Sequence, residues 1–172
     1  MSQTLHQATE ARELTHFNAL LHSFKNAMLT TRSRHGDFHS RPMIMGEVAE
    51  DGNIWLISDI HSEKIEELSE DCRVNVSMQE GHRFVALAGK AEIVRDTEHL
   101  KKMWSEAWRV WFPEGPEDAS VVLIKVMPQQ GEYWDNEGMS RVKYLYETAK
   151  AYVTGTTPSL DADIHSKVSL TH

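Results

Sequence analysis

Arg41 and Lys64 stand at opposite ends of one strand–hairpin–strand–helix segment, with Ser58 and Ser62 between them. The segment reads Ser40-Arg41-Pro42-Met43, an Asp51-Gly52 turn, Ile54-Trp55-Leu56-Ile57-Ser58, then Asp59-Ile60-His61-Ser62-Glu63-Lys64. These residue types suit an anion, a phosphate above all. An arginine offers a planar fork of donors, a lysine a point charge, and a helix start unpaired backbone N–H groups. Taken alone, Arg41 near a strand start reads as a solvated charge. Lys64 is different, because a cation in the first turn opposes the helix dipole unless an anion is there to meet it. That local conflict tips the reading toward a ligand. Ser62 is most simply an N-cap whose hydroxyl can also donate to a phosphate. Ser58 ends a strong strand, where its hydroxyl can meet a ring carbonyl or a turn.

Beside this cluster, Met43-Ile44-Met45 and Trp55-Leu56-Ile57 form an apolar wall. Core packing explains it as well as a cofactor does, although backbone groups at Pro42 and Met43 could contact a flat heterocycle. Trp104, Trp108 and Trp111 share a helix face if the helix continues, and Tyr133-Trp134 adds an aromatic pair. Trp104 reads as helix-on-barrel packing. Trp108, Trp111 and Trp134 are the candidates for an interface or the wall of a ring site. The histidines, His35, His39 and His61 among them, show no tight ligand spacing, so no metal site is expected. There is no GxSxG elbow and no P-loop.

The elements that position these residues follow from periodicity. Leu14, Phe17, Leu20, Leu21 and Phe24 recur at helical steps, which predicts a helix over 10–24 with Thr9 as its cap. Strands are predicted at 26–33, 41–50, 53–58, 73–78 and 82–94. Asp51-Gly52 makes a hairpin and Gly89 a bulge or bend. A short helix spans 62–70, with Ile65 and Leu68 inward. Asp96 or Thr97 caps a helix reaching Trp108. Further strands are expected at 120–127 and 131–134, then helical character over 141–152. The folded domain is therefore read as 10–152, with a flexible C-terminal tail over 153–172. Six or seven strands joined by hairpins suggest a mainly β, α+β chain: a small antiparallel barrel with flanking helices. Alternating βαβ spacing and GxGxxG are absent, which argues against a Rossmann domain.

The 172 residues fit one domain. The net charge of −8 argues against broad nucleic-acid binding but leaves room for a local anion site. Cys72 is the single cysteine, so no intrachain disulfide forms; it is read as a small buried residue at a strand start. No apolar run is long enough to span a bilayer. A cytoplasmic location and no membrane partner are expected.

A resemblance runs in order through much of the chain. It is carried by Ala27-Met28-Leu29-Thr30-Thr31, Ser40-Arg41-Pro42-Met43, Trp55-Leu56-Ile57-Ser58-Asp59 with Lys64, and Val74-Asn75-Val76-Ser77. It continues in Gly89-Lys90-Ala91-Glu92, Trp111-Phe112-Pro113-Glu114-Gly115 and Glu132-Tyr133-Trp134-Asp135. Together these resemble the general stress protein family of the pyridoxamine 5′-phosphate oxidase-like, FMN-binding split β-barrels. The resemblance implies a homodimer with flavin at the subunit interface, FMN or alternatively FAD. Arg41, Lys64 and Ser62 match the phosphate ligands. Ser58, beside Asp59, matches a residue at the ring, and Met43 next to Pro42 a strand position whose backbone meets it. Trp111 and Trp134 are expected to approach from the other subunit.

Two departures bear on activity. After Trp134 the chain offers Arg141-Val142-Lys143 and no Arg-x-His motif, and Gly46 stands where those oxidases carry a second strand cation. A flavin-dependent oxidoreductase acting on an unknown small-molecule donor or acceptor therefore ranks first. A non-catalytic flavin carrier or sensor ranks second, and pyridoxamine 5′-phosphate oxidation third. A heme or deazaflavin ligand is a lesser rival.

Overall fold

The computed structural model describes residues 14–135 and 165–170. Seven strands run as β1 (Asn26–Arg32), β2 (Phe38–Val48), β3 (Ile54–Asp59), β4 (Arg73–Glu80), β5 (Arg83–Val94), β6 (Val121–Asp135) and β7 (His165–Ser169). The sheet order is β3-β2-β1-β4-β5-β6-β7, and β3 also pairs with β6. That second pairing closes six antiparallel strands into a barrel and leaves β7 outside the ring on β6. Three helices accompany it: α1 (14–21), α2 (Glu63–Glu70) and α3 (Thr97–Met103). The expected mainly β, split-barrel architecture with flanking helices is what the chain forms. No helix among the described residues is long and apolar enough to cross a membrane.

Strand alternation explains the interior. On β1, Ala27, Leu29 and Thr31 are buried while their neighbours are not, and Val74, Val76 and Met78 repeat the pattern on β4. β3 and β6 differ because they are covered on both faces. Ile54 and Leu56 join the barrel core with Val122, Ile124 and Val126. Ile57, Val121 and Leu123 face outward into a second cluster with Leu100, Trp108 and Phe112. The unbroken apolar run Trp55-Leu56-Ile57 reflects this two-sided burial. At one end of the barrel α1 sets Phe17 against Leu87, Gly131 and Tyr133. At the other, α2 lays Ile65 and Leu68 over the opening.

Several boundaries differ from the sequence reading, each for a local reason. The predicted helix to Trp108 ends at Met103, because Trp104 and Ser105 leave helical angles; a 3-10 turn, Glu106–Val110, follows. Trp108 is 9% exposed in the second core cluster, so it belongs to the interior rather than to an interface. The two strands expected at 120–127 and 131–134 are one 15-residue strand. Its register with β5 shifts between Ala88 and Gly89, leaving Gln129 as the extra residue of a bulge beside Pro128, and the strand continues through it. Cys72 is exposed, in the short link between α2 and β4. Within the tail expected over 153–172, residues 165–169 form β7, which pairs with Gln130–Trp134 and buries Val168. One apolar residue in five gave no periodic signal there. The helical character expected over 141–152 lies outside the described residues.

Candidate functional site

The site lies where the inward rows of β1 to β3 reach the end of the barrel capped by α2. Arg41 pairs with Leu29 across β1–β2, and His39 with Thr31. Alternation puts His39, Arg41 and Met43 on the same inward row, with Met43 buried in the core. Ser58, paired with Val122, ends the inward row of β3 and is 3% exposed. The chain then turns at Asp59, whose side chain accepts from the His61 N–H at 2.7 Å, and enters α2.

Ser62 sits at the N-cap position in extended conformation, as expected, but makes no side-chain cap bond. Its hydroxyl instead donates to the Asp59 carbonyl at 2.6 Å and lies 3.2 Å from Ser58 Oγ. The first turn of α2 thus keeps its backbone donors uncapped by a side chain. Lys64 Nζ donates to Ser58 Oγ at 3.2 Å. Burial lowers the Lys64 pKa, and the nearby Arg41 guanidinium lowers it further, while Asp59 and Glu67 pull it back up. Two cations thus stand close together at this corner, partly offset by the two carboxylates.

Arg41 is engaged from within. Its Nη2 donates to Glu67 Oε2 at 2.8 Å, and its Nη1 to Thr31 Oγ1. Thr31 Oγ1 in turn donates to Glu67 Oε2, and His39 Nδ1 meets Glu67 Oε1 at 2.5 Å. Thr31 is 1% and Glu67 5% exposed. Burial pushes the Glu67 carboxyl upward, but hydrogen bonds from Thr31, His39 and Arg41, with the Arg41 charge, outweigh it and hold the pKa below the usual value. His39, Glu63 and Glu67 also bring three possible metal-ligand atoms within 4.8 Å of one another. Arg41 already supplies positive charge to the same carboxylate, so the ion-pair network accounts for this geometry.

The structure therefore brings Arg41, Ser58, Asp59, Ser62 and Lys64 into one cluster. Pro42 pairs with Met28 on the outward face of the sheet. Trp111 is 62% exposed in the turn after the 3-10 segment. Trp134 pairs with Phe84, twelve residues along β6 from the partner of Ser58. At the rise of a strand that is up to roughly 40 Å, so within one chain Trp134 does not reach the cluster. Thr31 and Glu67 are residues to which the sequence reading gave no role, and His39, weighed there only as a metal ligand, is a third. Glu67 follows Lys64 by three and shares its helix face. Thr31 continues the inward row of Ala27 and Leu29. The Thr31 signal points to packing, and the Glu67 signal to a solvated helix face.

These features define a closed antiparallel barrel whose capped end holds a corner of two cations and two hydroxyls. The chain belongs to the pyridoxamine 5′-phosphate oxidase like family, whose model matches residues 12–159. Among solved structures it is similar to a candidate general stress protein 26 from Jannaschia sp. CCS1, with 26% identity over 92% of this chain and 99% of that one and a TM-score of 0.68. It is also similar to general stress protein 26 from Bacillus anthracis str. Sterne, with 25% identity over 67% and 88% and a TM-score of 0.61. A pyridoxamine 5′-phosphate oxidase-related, FMN binding protein from Nostoc punctiforme PCC 73102 shares the fold, with 16% identity over 75% and 83% and a TM-score of 0.56. Comparison with curated proteins found no significant match.

Proposed function

We propose that this protein binds FMN and acts as a flavin-dependent oxidoreductase of the general stress protein type. The observation that carries the reading is the convergence of Arg41, Lys64, Ser58 and Ser62 at the uncapped start of α2. Two cations, two hydroxyls and a helix N-terminus are the donor set for a phosphate monoester. Family membership and the FMN-binding relative support the choice of flavin over other phosphates. Pro42 and Met43 would meet the ring through their backbone, with Asp59 fixing the corner behind it. The flavin supplies the electron transfer when bound, and the chain binds and orients it.

The protein is proposed to work as a homodimer that closes the ring site with Trp111 and Trp134 of the second copy. The exposure of Trp111, and of Met28 and Phe84 on the outward sheet face, supports a contact there. The deciding experiment is calorimetric titration of the purified protein with FMN and riboflavin, followed by anaerobic stopped-flow reduction with NADH and NADPH. FMN should bind more tightly than riboflavin, and the bound flavin should bleach. A bound flavin that stays oxidised with every donor would assign the protein as a carrier. Absence of binding would reject the flavin reading.

A further inference from the structure

Glu67 has no place in a simple phosphate site. It is a buried carboxylate set against the arginine that the ligand needs. Its Oε2 accepts from Arg41 at 2.8 Å and from Thr31, and its Oε1 meets His39 at 2.5 Å. Among the described residues, the nearby charges come from the elements that meet there. β2 gives Arg41 and His39, β3 gives Asp59, and α2 gives exposed Glu63 as well as Lys64 and Glu67. Asp59 and Glu67 both act on Lys64. With a neutral His39, the inner set of Arg41, Lys64, Asp59 and Glu67 carries no net charge before any ligand arrives.

We propose that Glu67 is an internal counter-anion of this site, a carboxylate that occupies Arg41 in the ligand's place and lowers the affinity for phosphate groups. Its use in the unliganded protein is structural. Arg41 sits on the inward row with its side chain 20% exposed, and a guanidinium left there without a partner is strongly destabilising. Its effect on binding is opposite. A dianionic phosphate meets a cluster whose attraction is already spent, so the site exchanges its ligand rather than trapping it. The ligand is FMN on the function proposed above, and Glu67 acts on its phosphate group alone.

Glu67→Gln separates the two roles. The amide oxygen can still accept from Arg41 and Thr31, and the amide NH2 can face His39 in its other tautomer. Only the charge is lost. Removing one negative charge beside a dianion in this partly exposed corner is expected to tighten binding about tenfold. FMN should therefore bind Glu67→Gln about tenfold more tightly than wild type, while riboflavin, which lacks the phosphate, binds both equally. Inorganic phosphate should raise the Tm of the variant by more than that of wild type. Equal or weaker binding of FMN and phosphate by Glu67→Gln overturns the proposal, as does an equal gain for riboflavin. Should the variant fail to fold, the wild-type ratio of FMN to riboflavin affinity decides: below about a hundredfold supports a neutralised cluster, and above it overturns one. If wild type takes up neither flavin, the FMN reading falls and the phosphate-induced shift alone judges Glu67.

Discussion

Lys64 Nζ donates to Ser58 Oγ at 3.2 Å across the corner between β3 and α2. The contact joins the last inward residue of a barrel strand to the first turn of the helix that caps the barrel. Ser58 Oγ also lies 3.2 Å from Ser62 Oγ, so the corner holds three polar side chains with more donors than acceptors among them. Burial and the Arg41 charge both work against the Lys64 ammonium. Asp59 and Glu67 offset this in part, and a bound phosphate would add its charge to theirs.

Removing either cation should therefore weaken FMN binding specifically through its phosphate. Losing one charge-assisted hydrogen bond typically costs about 1.5–3 kcal/mol, roughly tenfold to hundredfold in affinity. Arg41→Ala and Lys64→Ala should each show this loss for FMN in calorimetric titration and little change for riboflavin. The two differ in stability. Lys64→Ala removes an ammonium that burial disfavours, whereas Arg41→Ala strands the buried Glu67 carboxylate. Arg41→Ala should be the less stable variant in urea. Unchanged FMN affinity in both would refute the phosphate assignment.

Thr31→Val tests the hub of the network. The Thr31 hydroxyl serves Arg41 and Glu67 together and is 1% exposed. Valine keeps the shape and deletes the hydroxyl, leaving Arg41 Nη1 and Glu67 Oε2 each short of a partner. The expected cost is about 1–3 kcal/mol of folding stability, read as a lower urea midpoint with an unchanged m-value. A drop in m-value instead would mean that the barrel end had opened.

The depressed Glu67 pKa fixes the sign of an acid dependence. A carboxyl whose folded pKa lies below its unfolded value contributes stability that is fully present above the unfolded value. That contribution is lost as pH falls below 4.5 and through the folded value. Asp71, Glu106 and Asp118 are also held low, by hydrogen bonds from Arg73, Arg109 and Ser120, and share this acid limb. Comparing wild type with Glu67→Gln isolates one group. The stability difference between them should shrink as pH is taken from about 6 to 3; a constant difference would mean that the Glu67 carboxyl titrates alike in the folded and unfolded chain, and a difference that grows as pH falls would mean that folding raises its pKa.

The strands that carry the site were legible because β-rows alternate and because Asp51-Gly52 and Ser62 mark a turn and a helix start. Arg41, Ser58, Ser62 and Lys64 could be grouped for the same reason: one hairpin and one short helix place them by local geometry alone. Closure of the barrel by β3 on β6 is a long-range pairing that no local pattern encodes. β7 was missed because Val168 is its one buried apolar residue among five. Glu67 was missed because a carboxylate in a helix full of glutamates reads as solvated. Only the inward row of β2 shows that its neighbour is Arg41.

Gly89 supplies the last prediction, which separates fold from site. A Cβ at Gly89 would lie 2.2 Å from the Met127 carbonyl oxygen and 2.9 Å from Pro128 Cα, both backbone atoms. No rotamer change can relieve that contact, so the β5–β6 seam must open at its bulge. Gly52, with φ +80°, has nothing within 4 Å of a built Cβ. There alanine meets only the strain of the left-handed region, about 1 kcal/mol. Gly89→Ala should cost about 3 kcal/mol, the upper end for overpacking, and Gly52→Ala about a third of that. Neither residue touches the Arg41–Lys64 corner, so both variants should keep wild-type FMN affinity wherever they remain folded. Urea denaturation gives the ranking, and calorimetric titration at low temperature tests the separation. A Gly89→Ala protein as stable as Gly52→Ala would show that the seam yields more easily than its backbone contacts allow.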